Sequence, residues 1–435
     1  VAVLSLTHTV VAEVKLPSVI GSHMVLQRDR PLTIWGWADP GEQVTVKLDA
    51  QKVSAKADDT GAWKVKLGPV KADGKPHTMT ISGKNEIVLE DILIGEVWLG
   101  SGQSNMEWSI NASRGAKENL AAADRPTIRL FHVPKVQNTK PAADVAAKWN
   151  ICSPETLGKF SAVLYHFGVR LQKDLDVPIG LINSSWGGSP IEPWIVEESK
   201  SGGMYNGMIA PIVPFALRGI TWYQGESNVS QGFKYLDKME LLIKGWRRVW
   251  DAELPFYFVQ ISPWAGYKAE LPPLWEAQVA SLKIPGTGMV VSTDLVDNIK
   301  DIHPANKQPY GERLARWALA RVYGKKDLVV SGPLYKSMKI EGNKIRIHFA
   351  HTGGGLESRD GKALTDFEIA GKDGKFSEAQ AVIDGDSVVV SSASVPEPTQ
   401  VRFAWRNTPN PNLMNKDGLP ASPFRTEGWQ GGTGE

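Results

Sequence analysis

Between residues 92 and 325 strand-like apolar runs alternate with helical stretches, and this alternation limits the possible folds more than any other feature. The runs at 128–131, 179–182, 219–223, 256–259 and 289–291 are separated by helix-compatible segments, the clearest at 160–175, 235–250, 273–282 and 311–323. Parallel strands need long crossover connections, so the expected arrangement is a mostly parallel sheet covered by helices on both faces. Ligands of such sheets bind outside the C-terminal ends of the strands. Polar, glycine-rich segments follow the runs ending near Gly100, Ile182 and Tyr223, and these are expected to share one rim.

On either side the pattern changes to short alternating strands. In 13–91, Val44, Val46 and Leu48, then Trp63, Val65 and Leu67, then Met79 and Ile81 alternate with polar residues. Turn clusters such as Asp39-Pro40-Gly41 and Asp58-Asp59-Thr60-Gly61 separate them. After 328 the same pattern returns at 344–349, 387–390 and 401–405. Both regions read as small antiparallel sandwiches. A chain of 435 residues is too long for one core. The expected division is an N-terminal β-sandwich at 13–91, an α/β unit at 92–327 and a C-terminal β-sandwich at 328–435.

Residues 1–12, small or apolar through Ala12, read as the end of a secretory leader, which places the protein in the periplasm or the medium. No later apolar run approaches the length of a membrane span, so no membrane partner is expected. Lys and Arg (49) nearly balance Asp and Glu (47), which leaves no electrostatic footprint for nucleic acid. A single cysteine, Cys152, excludes an internal disulfide framework and a thiolate metal cluster. With no HExxH pattern either, no metal or other cofactor is expected. The 16 tryptophans serve as core filler or as flat platforms for sugar rings.

The chemistry-bearing residues fall on the expected rim. The run 92–99 ends at Gly100-Ser101-Gly102, which reads as a strand stopped by a tight turn that delivers Ser104 to a helix start. Backbone N–H groups there have no intrahelical partner and suit an oxyanion, although Ser104 reads equally as a simple helix cap. The paired glycines of Trp186-Gly187-Gly188 permit close backbone approach, with the N–H of Gly188 free to donate, or they form a plain turn before Pro190. In Gln224-Gly225-Glu226-Ser227-Asn228, the Asn228 amide is either an oxyanion donor or a turn cap. His303 is held out of helix by Pro304 and has Asp301 beside it, whereas His132, His166, His348 and His351 read as core or surface residues. A serine oxygen needs a base to take its proton, and imidazole titrates in the right range. Ser104, His303, the Gly188 N–H and Asn228 together supply a nucleophile, a base and oxyanion donors.

The order Gly102-Gln103-Ser104-Asn105-Met106, Trp186-Gly187-Gly188, Gln224-Gly225-Glu226-Ser227-Asn228 and Asp301-Ile302-His303-Pro304 resembles the SGNH hydrolases. Within them it resembles the carbohydrate esterases of the sialate O-acetylesterase type. Met24-Val25-Leu26-Gln27-Arg28-Asp29, Tyr205-Asn206-Gly207-Met208 and Pro423-Phe424-Arg425-Thr426 extend the resemblance over nearly the whole chain. It implies a flavodoxin-like α/β/α sandwich in which Ser104 is the nucleophile and His303 the general base. The Ser104 and Gly188 N–H groups and Asn228 then form the oxyanion hole. Substrate contacts are expected from Gln103, Trp186, Gln224 and Glu226. Two departures stand out. The acid of these enzymes usually lies three residues before the histidine, where this chain has Lys300. Asp301 is the nearest carboxylate, with Asp294, Asp297, Glu226 or a backbone carbonyl as alternatives. The segment 191–204 is also short where similar proteins often carry a long insertion.

The resemblance implies a serine O-acetylesterase that releases acetate from O-acetylated mono-, oligo- or polysaccharides, either sialic acid or plant polymers such as xylan and xyloglucan. Arg218, Arg313 or Arg316 is a candidate for binding a sialate carboxylate, with structural pairing as its other reading. Two alternatives remain open: a lipid-type SGNH esterase or thioesterase, and a non-catalytic carbohydrate-binding protein. The absence of GxSxG around Ser104 speaks against an α/β-hydrolase.

Overall fold

The computed structural model describes residues 13–433, so the 1–12 segment read as a leader lies outside the described residues. The N-terminal region holds β1 (Val25–Gln27), β2 (Leu32–Trp37), β3 (Gln43–Leu48), β4 (Gln51–Lys56), β5 (Ala62–Leu67) and β6 (His77–Ser82). β2 pairs with β5, and β3 lies between β4 and β6, all antiparallel. In β3 the burial alternates, with Val44, Val46 and Leu48 inside, as one half-buried face requires.

The next strand, β7 (Glu86–Gly102), is 17 residues long and belongs to both regions. Its first part pairs antiparallel with β6, from Glu86 opposite Ser82 to Ile92 opposite His77. Its second part runs parallel between β10 (Ile179–Ser185) and β11 (Gly219–Tyr223). The strand expected to stop at Gly100 therefore continues through Gly102. Both glycines make room for neighbours, and of the two only Gly102 also turns the chain. A Cβ on Gly100 would lie 2.7 Å from Leu164 Cδ2, and one on Gly102 would lie 2.2 Å from the Tyr223 carbonyl oxygen.

The remaining strands of the central sheet are β8 (Arg125–His132), β9 (Trp149–Cys152), β12 (Phe256–Val259) and β13 (Thr287–Val290). The order is β13-β12-β11-β7-β10-β8-β9, parallel except for β9. The helices are α1 (Ser104–Glu107), α2 (Ala116–Ala121), α3 (Pro154–Leu157), α4 (Ala162–Leu175), α5 (Tyr235–Trp250), α6 (Pro272–Ala280) and α7 (Gln308–Arg321). α4 begins where the Ser161 hydroxyl accepts the Leu164 N–H at 3.1 Å, and it ends at Asp176 in the left-handed region (φ 50°).

Trp98 of β7 meets Phe167 of α4 edge-on and stacks on Tyr257, which in turn stacks on Trp317 of α7. Trp222, on the adjacent strand and the opposite face, packs against Trp246 of α5 and Trp194. Helices thus cover both faces, and Trp98, Trp194, Trp222, Trp246, Trp275 and Trp317 are fully buried filler. One continuous core runs from Val14 to Leu334. A second, from Tyr335 to Phe424, lies under the C-terminal sheets. These are β14 (Leu334–Glu341), β15 (Lys344–Ala350), β20 (Ser387–Ser391) and β19 (Gln380–Asp384) in one sheet, and β18 (Ser377–Glu378), β17 (Phe367–Ala370), β21 (Gln400–Phe403) and β23 (Phe424–Arg425) in another, with β16 (Leu356–Ser358) and β22 (Leu413–Asn415) paired separately. Among the described residues no helix is long and apolar enough to cross a membrane.

Candidate active site

The C-terminal ends of β7, β10 and β11 are stitched together where the chain leaves the sheet. The Gln103 N–H donates to the Tyr223 carbonyl at 3.0 Å and the Trp186 N–H to the Gly102 carbonyl at 3.0 Å. Gly102, at φ +136°, is the point of departure, in a region that only glycine enters without strain. Ser104 follows as the first residue of α1, so its N–H has no acceptor within the helix. Its Oγ lies 2.9 Å from His303 Nε2. The His303 ring stacks on Trp108 with centroids 4.4 Å apart and planes 18° from parallel.

Asp301 Oδ1 accepts the His303 backbone N–H at 2.9 Å and lies 3.6 Å from its Nδ1, beyond hydrogen-bond range but within ion-pair range. The other carboxylates considered for this place are committed elsewhere. Asp294 forms a fork with Arg313 at 2.8 and 2.6 Å, Asp297 pairs with Arg114 at 2.9 Å, and Glu226 accepts from Asn105 at 2.7 Å.

The glycine loop passes beside the nucleophile. A Cβ built on Gly187 would lie 3.4 Å from Ser104 Cβ. The Gly187 N–H donates to Glu107 Oε2 at 2.6 Å, while the Gly188 N–H (φ +75°) has no acceptor among the described residues. Ser227 fixes this loop by donating its hydroxyl to the Gly188 carbonyl at 3.0 Å. The orientation of the Asn228 amide is settled by its neighbours. Its Oδ1 accepts the Ile191 N–H at 3.0 Å and Gln224 Nε2 at 2.7 Å, so its NH₂ faces Glu192, at 3.1 Å from Oε2. One of its amide protons is therefore held by a carboxylate.

Of the expected substrate contacts, only Trp186 is partly exposed. Gln103, Gln224 and Glu226 are buried and bond to the loops around them, as in the 3.1 Å contact from Gln224 Nε2 to Gln103 Oε1. They act as struts because a polar side chain buried behind a rim must satisfy its hydrogen bonds within the protein. The arginines considered for a sialate carboxylate are likewise taken. Arg218 pairs with buried Glu96 at 2.7 Å, Arg313 with Asp294, and Arg316 donates to the Val329 and Asp417 carbonyls.

The electrostatics favour a neutral imidazole. Burial lowers the His303 pKa from its ordinary value, the Lys307 ammonium lowers it further, and Asp301 opposes both. Lys307 is buried beside this site and its own pKa falls to about 7, through burial, against the attraction of Glu226 and Asp301. Lys307, Asn105, Glu107 and Trp108 were not singled out from the sequence. The available signal is their placement within four residues of Ser104 or His303. Among the described residues no cluster of His, Cys, Asp or Glu could hold a metal ion.

Residues 94–320 match the family described as carbohydrate esterase, sialic acid-specific acetylesterase. The chain is 32% identical over 392 residues to the sialate O-acetylesterase of Homo sapiens, covering 76% of this chain and 75% of that one. To the sialate O-acetylesterase of Mus musculus it is 30% identical over 414 residues, covering 75% and 76%. The crystal structure of a carbohydrate acetylesterase from Xanthomonas citri superposes with a TM-score of 0.92 at 39% identity, covering 96% of this chain and 100% of that one. Taken with the serine–histidine contact at the sheet's C-terminal rim, these likenesses establish that the chain is an ester hydrolase and belongs to the sialic acid-specific acetylesterase family of carbohydrate esterases.

Proposed function

We propose that this carbohydrate O-acetylesterase is a serine hydrolase of the SGNH type working through an acetyl-enzyme. The observation that carries this reading is the 2.9 Å contact between Ser104 Oγ and His303 Nε2 at the start of α1. His303 Nε2 takes the Ser104 proton as Oγ attacks the acetyl carbonyl carbon. The resulting oxyanion is received by the Ser104 and Gly188 N–H groups and by the Asn228 amide proton not held by Glu192, each such donor being worth about 3 kcal/mol of barrier. Protonated His303 then gives its proton to the departing sugar oxygen, leaving acetyl-Ser104. Water, deprotonated by His303, releases acetate and restores the serine. Asp301 supports the imidazolium by charge across 3.6 Å.

In this reading 92–327 is a flavodoxin-like catalytic domain, with β-sandwich domains at 13–91 and 328–435. The partly exposed Trp186, next to the glycine loop that passes Ser104, offers a sugar-sized flat surface. Because Arg218, Arg313 and Arg316 are already paired, a neutral acetylated sugar, as in xylan or xyloglucan, fits better than a sialate carboxylate. The test is acetate release from acetylated xylan and xyloglucan oligosaccharides, O-acetylated sialic acid and a long-chain nitrophenyl ester, wild type against Ser104→Ala. Release from a neutral sugar that vanishes in the variant is the expected result. Release that survives Ser104→Ala overturns the mechanism, and activity on the long-chain ester alone overturns the substrate class.

A further inference from the structure

Behind the serine and histidine lies a buried polar knot that the proposed reaction does not use. Lys307 Nζ donates to Asn105 Oδ1 at 2.5 Å. The Asn105 NH₂ donates to Glu226 Oε1 at 2.7 Å and to the Ile302 carbonyl at 3.1 Å. Lysine only donates, and the carboxyl and carbonyl oxygens accept here, so in this orientation of the amide every one of these contacts joins a donor to an acceptor, while Glu226 Oε2 is buried without a partner. Asn105, Glu226 and Lys307 are 0%, 8% and 1% exposed. The knot ties three loops together: Asn105 follows Ser104, Glu226 lies in the loop after β11, and Ile302 and Lys307 flank His303 from either side in sequence.

The ammonium is also enclosed by rings. Lys307 Nζ lies 5.7 Å from the Trp108 ring centroid, 5.8 Å from that of Tyr223 and 5.5 Å from that of Tyr310. Such ring faces stabilise a cation that has been taken out of water. Trp108 is the ring on which His303 stacks. The ammonium and the imidazole thus share one aromatic neighbour, in low-dielectric surroundings where a like charge is strongly felt.

We propose that Lys307 is a positioning residue for the esterase reaction: through Asn105 it locks the histidine loop against the nucleophile loop and sets its ammonium over the Trp108 ring on which His303 stacks. That charge favours the neutral imidazole as base. The proposal rests on His303 being that base. The charged groups facing His303 are Asp301 on its own loop and Lys307, and Asp301 acts in the opposite direction. Glu226, farther along the knot, tempers the Lys307 charge. Lys307 is the more basic of the two, its pKa of about 7 lying above that of His303, which is lowered below the ordinary imidazole value, so the ammonium is the prevailing form where His303 titrates.

Two variants separate the hydrogen bond from the charge. Lys307→Gln keeps a donor for Asn105 without the charge, and Lys307→Met removes both. Rates are measured on nitrophenyl acetate from pH 4.5 to 8.5, and the His303 ring is titrated by NMR, its signal identified by its loss in His303→Asn. Both Lys307 variants are expected to move the imidazole midpoint and the acid limb of kcat/KM upward, toward the ordinary imidazole value, so that each loses more of its pH 8 rate at pH 6 than the wild type does. The plateau rate is expected to fall further in Lys307→Met than in Lys307→Gln. Should Lys307→Met not fold, Lys307→Gln carries the test alone. Folded variants with an unmoved imidazole midpoint overturn the proposal. An imidazole midpoint that moves in the NMR titration without any change in the activity profile overturns instead the assignment of His303 as the base.

Discussion

At the residue scale the proposed mechanism makes the imidazole decide when the enzyme works. In it only neutral His303 takes the serine proton, and burial and Lys307 lower its pKa below the ordinary 6.5. Activity is therefore expected to persist through mildly acidic pH and to be lost as pH falls through that lowered value. A kcat/KM profile with its acid midpoint above 6.5 would contradict this electrostatic account. Asp301 is expected to matter less than the acid of a tight triad. Its carboxylate is 53% exposed and 3.6 Å from Nδ1, the geometry of a weak ion pair worth up to about 1 kcal/mol. Asp301→Asn should cost about fivefold or less in kcat by steady-state assay. The serine and histidine that meet at 2.9 Å were legible as candidates in the sequence because few residue types can perform such chemistry. Their supports were not, because hydrogen-bond partners are set by the fold. Asn105 and Lys307 lie 202 positions apart, and Arg218 and Glu96 lie 122 apart. A lysine four residues past a histidine reads as solvated until the chain is folded around it.

At the element scale β7 carries the site, and its glycines are its most sensitive points. Gly102 combines φ +136° with a Cβ position 2.2 Å from the Tyr223 carbonyl oxygen. Any side chain there must push β11 away or rotate the peptide that presents Ser104. Gly102→Ala is expected to destabilise the protein by about 2 kcal/mol or more and to depress kcat more than KM, read from thermal melts and initial rates. Unchanged stability and activity would show that the strand exit tolerates a side chain. The sequence read β11 and α5 at their observed bounds, 219–223 and 235–250, since an apolar run and a long amphipathic period leave little choice. It read β7 too short at both ends. Glu86 to Asp91 mixes charges among the apolar residues because that part pairs with β6 at the protein's edge, and the glycines at the other end look like a turn when the sheet that crowds them is not in view.

At the scale of the whole molecule, the N-terminal strands and the central sheet share β7, and one buried carboxylate braces the junction. Glu96, 0% exposed, accepts from Arg28 Nε at 2.5 Å, Arg218 Nε at 2.7 Å and Gln27 Nε2 at 3.0 Å. Gln27 and Arg28 come from β1 and the residue after it, and Arg218 from the residue just before β11. Arg30 stands nearby, its pKa lowered by burial and by Arg218. Without Glu96 these guanidinium groups would face one another with only the half-exposed Asp29, 3.8 Å from Arg28 Nε, as counter-charge. Removing one member of a buried ion pair typically costs about 3–5 kcal/mol. Glu96→Ala is therefore expected to lower the melting midpoint by roughly 5–10 °C, far more than Glu96→Gln, which still offers an oxygen to the donors. Because β7 and the core from Val14 to Leu334 are continuous, the N-terminal region should not melt ahead of the esterase sheet. Protease cleavage within 13–91 and loss of activity should then share one midpoint in Glu96→Ala, shifted together. If cleavage appears well below the temperature at which activity is lost, the two regions are independent and the brace joins them without making their folding one event.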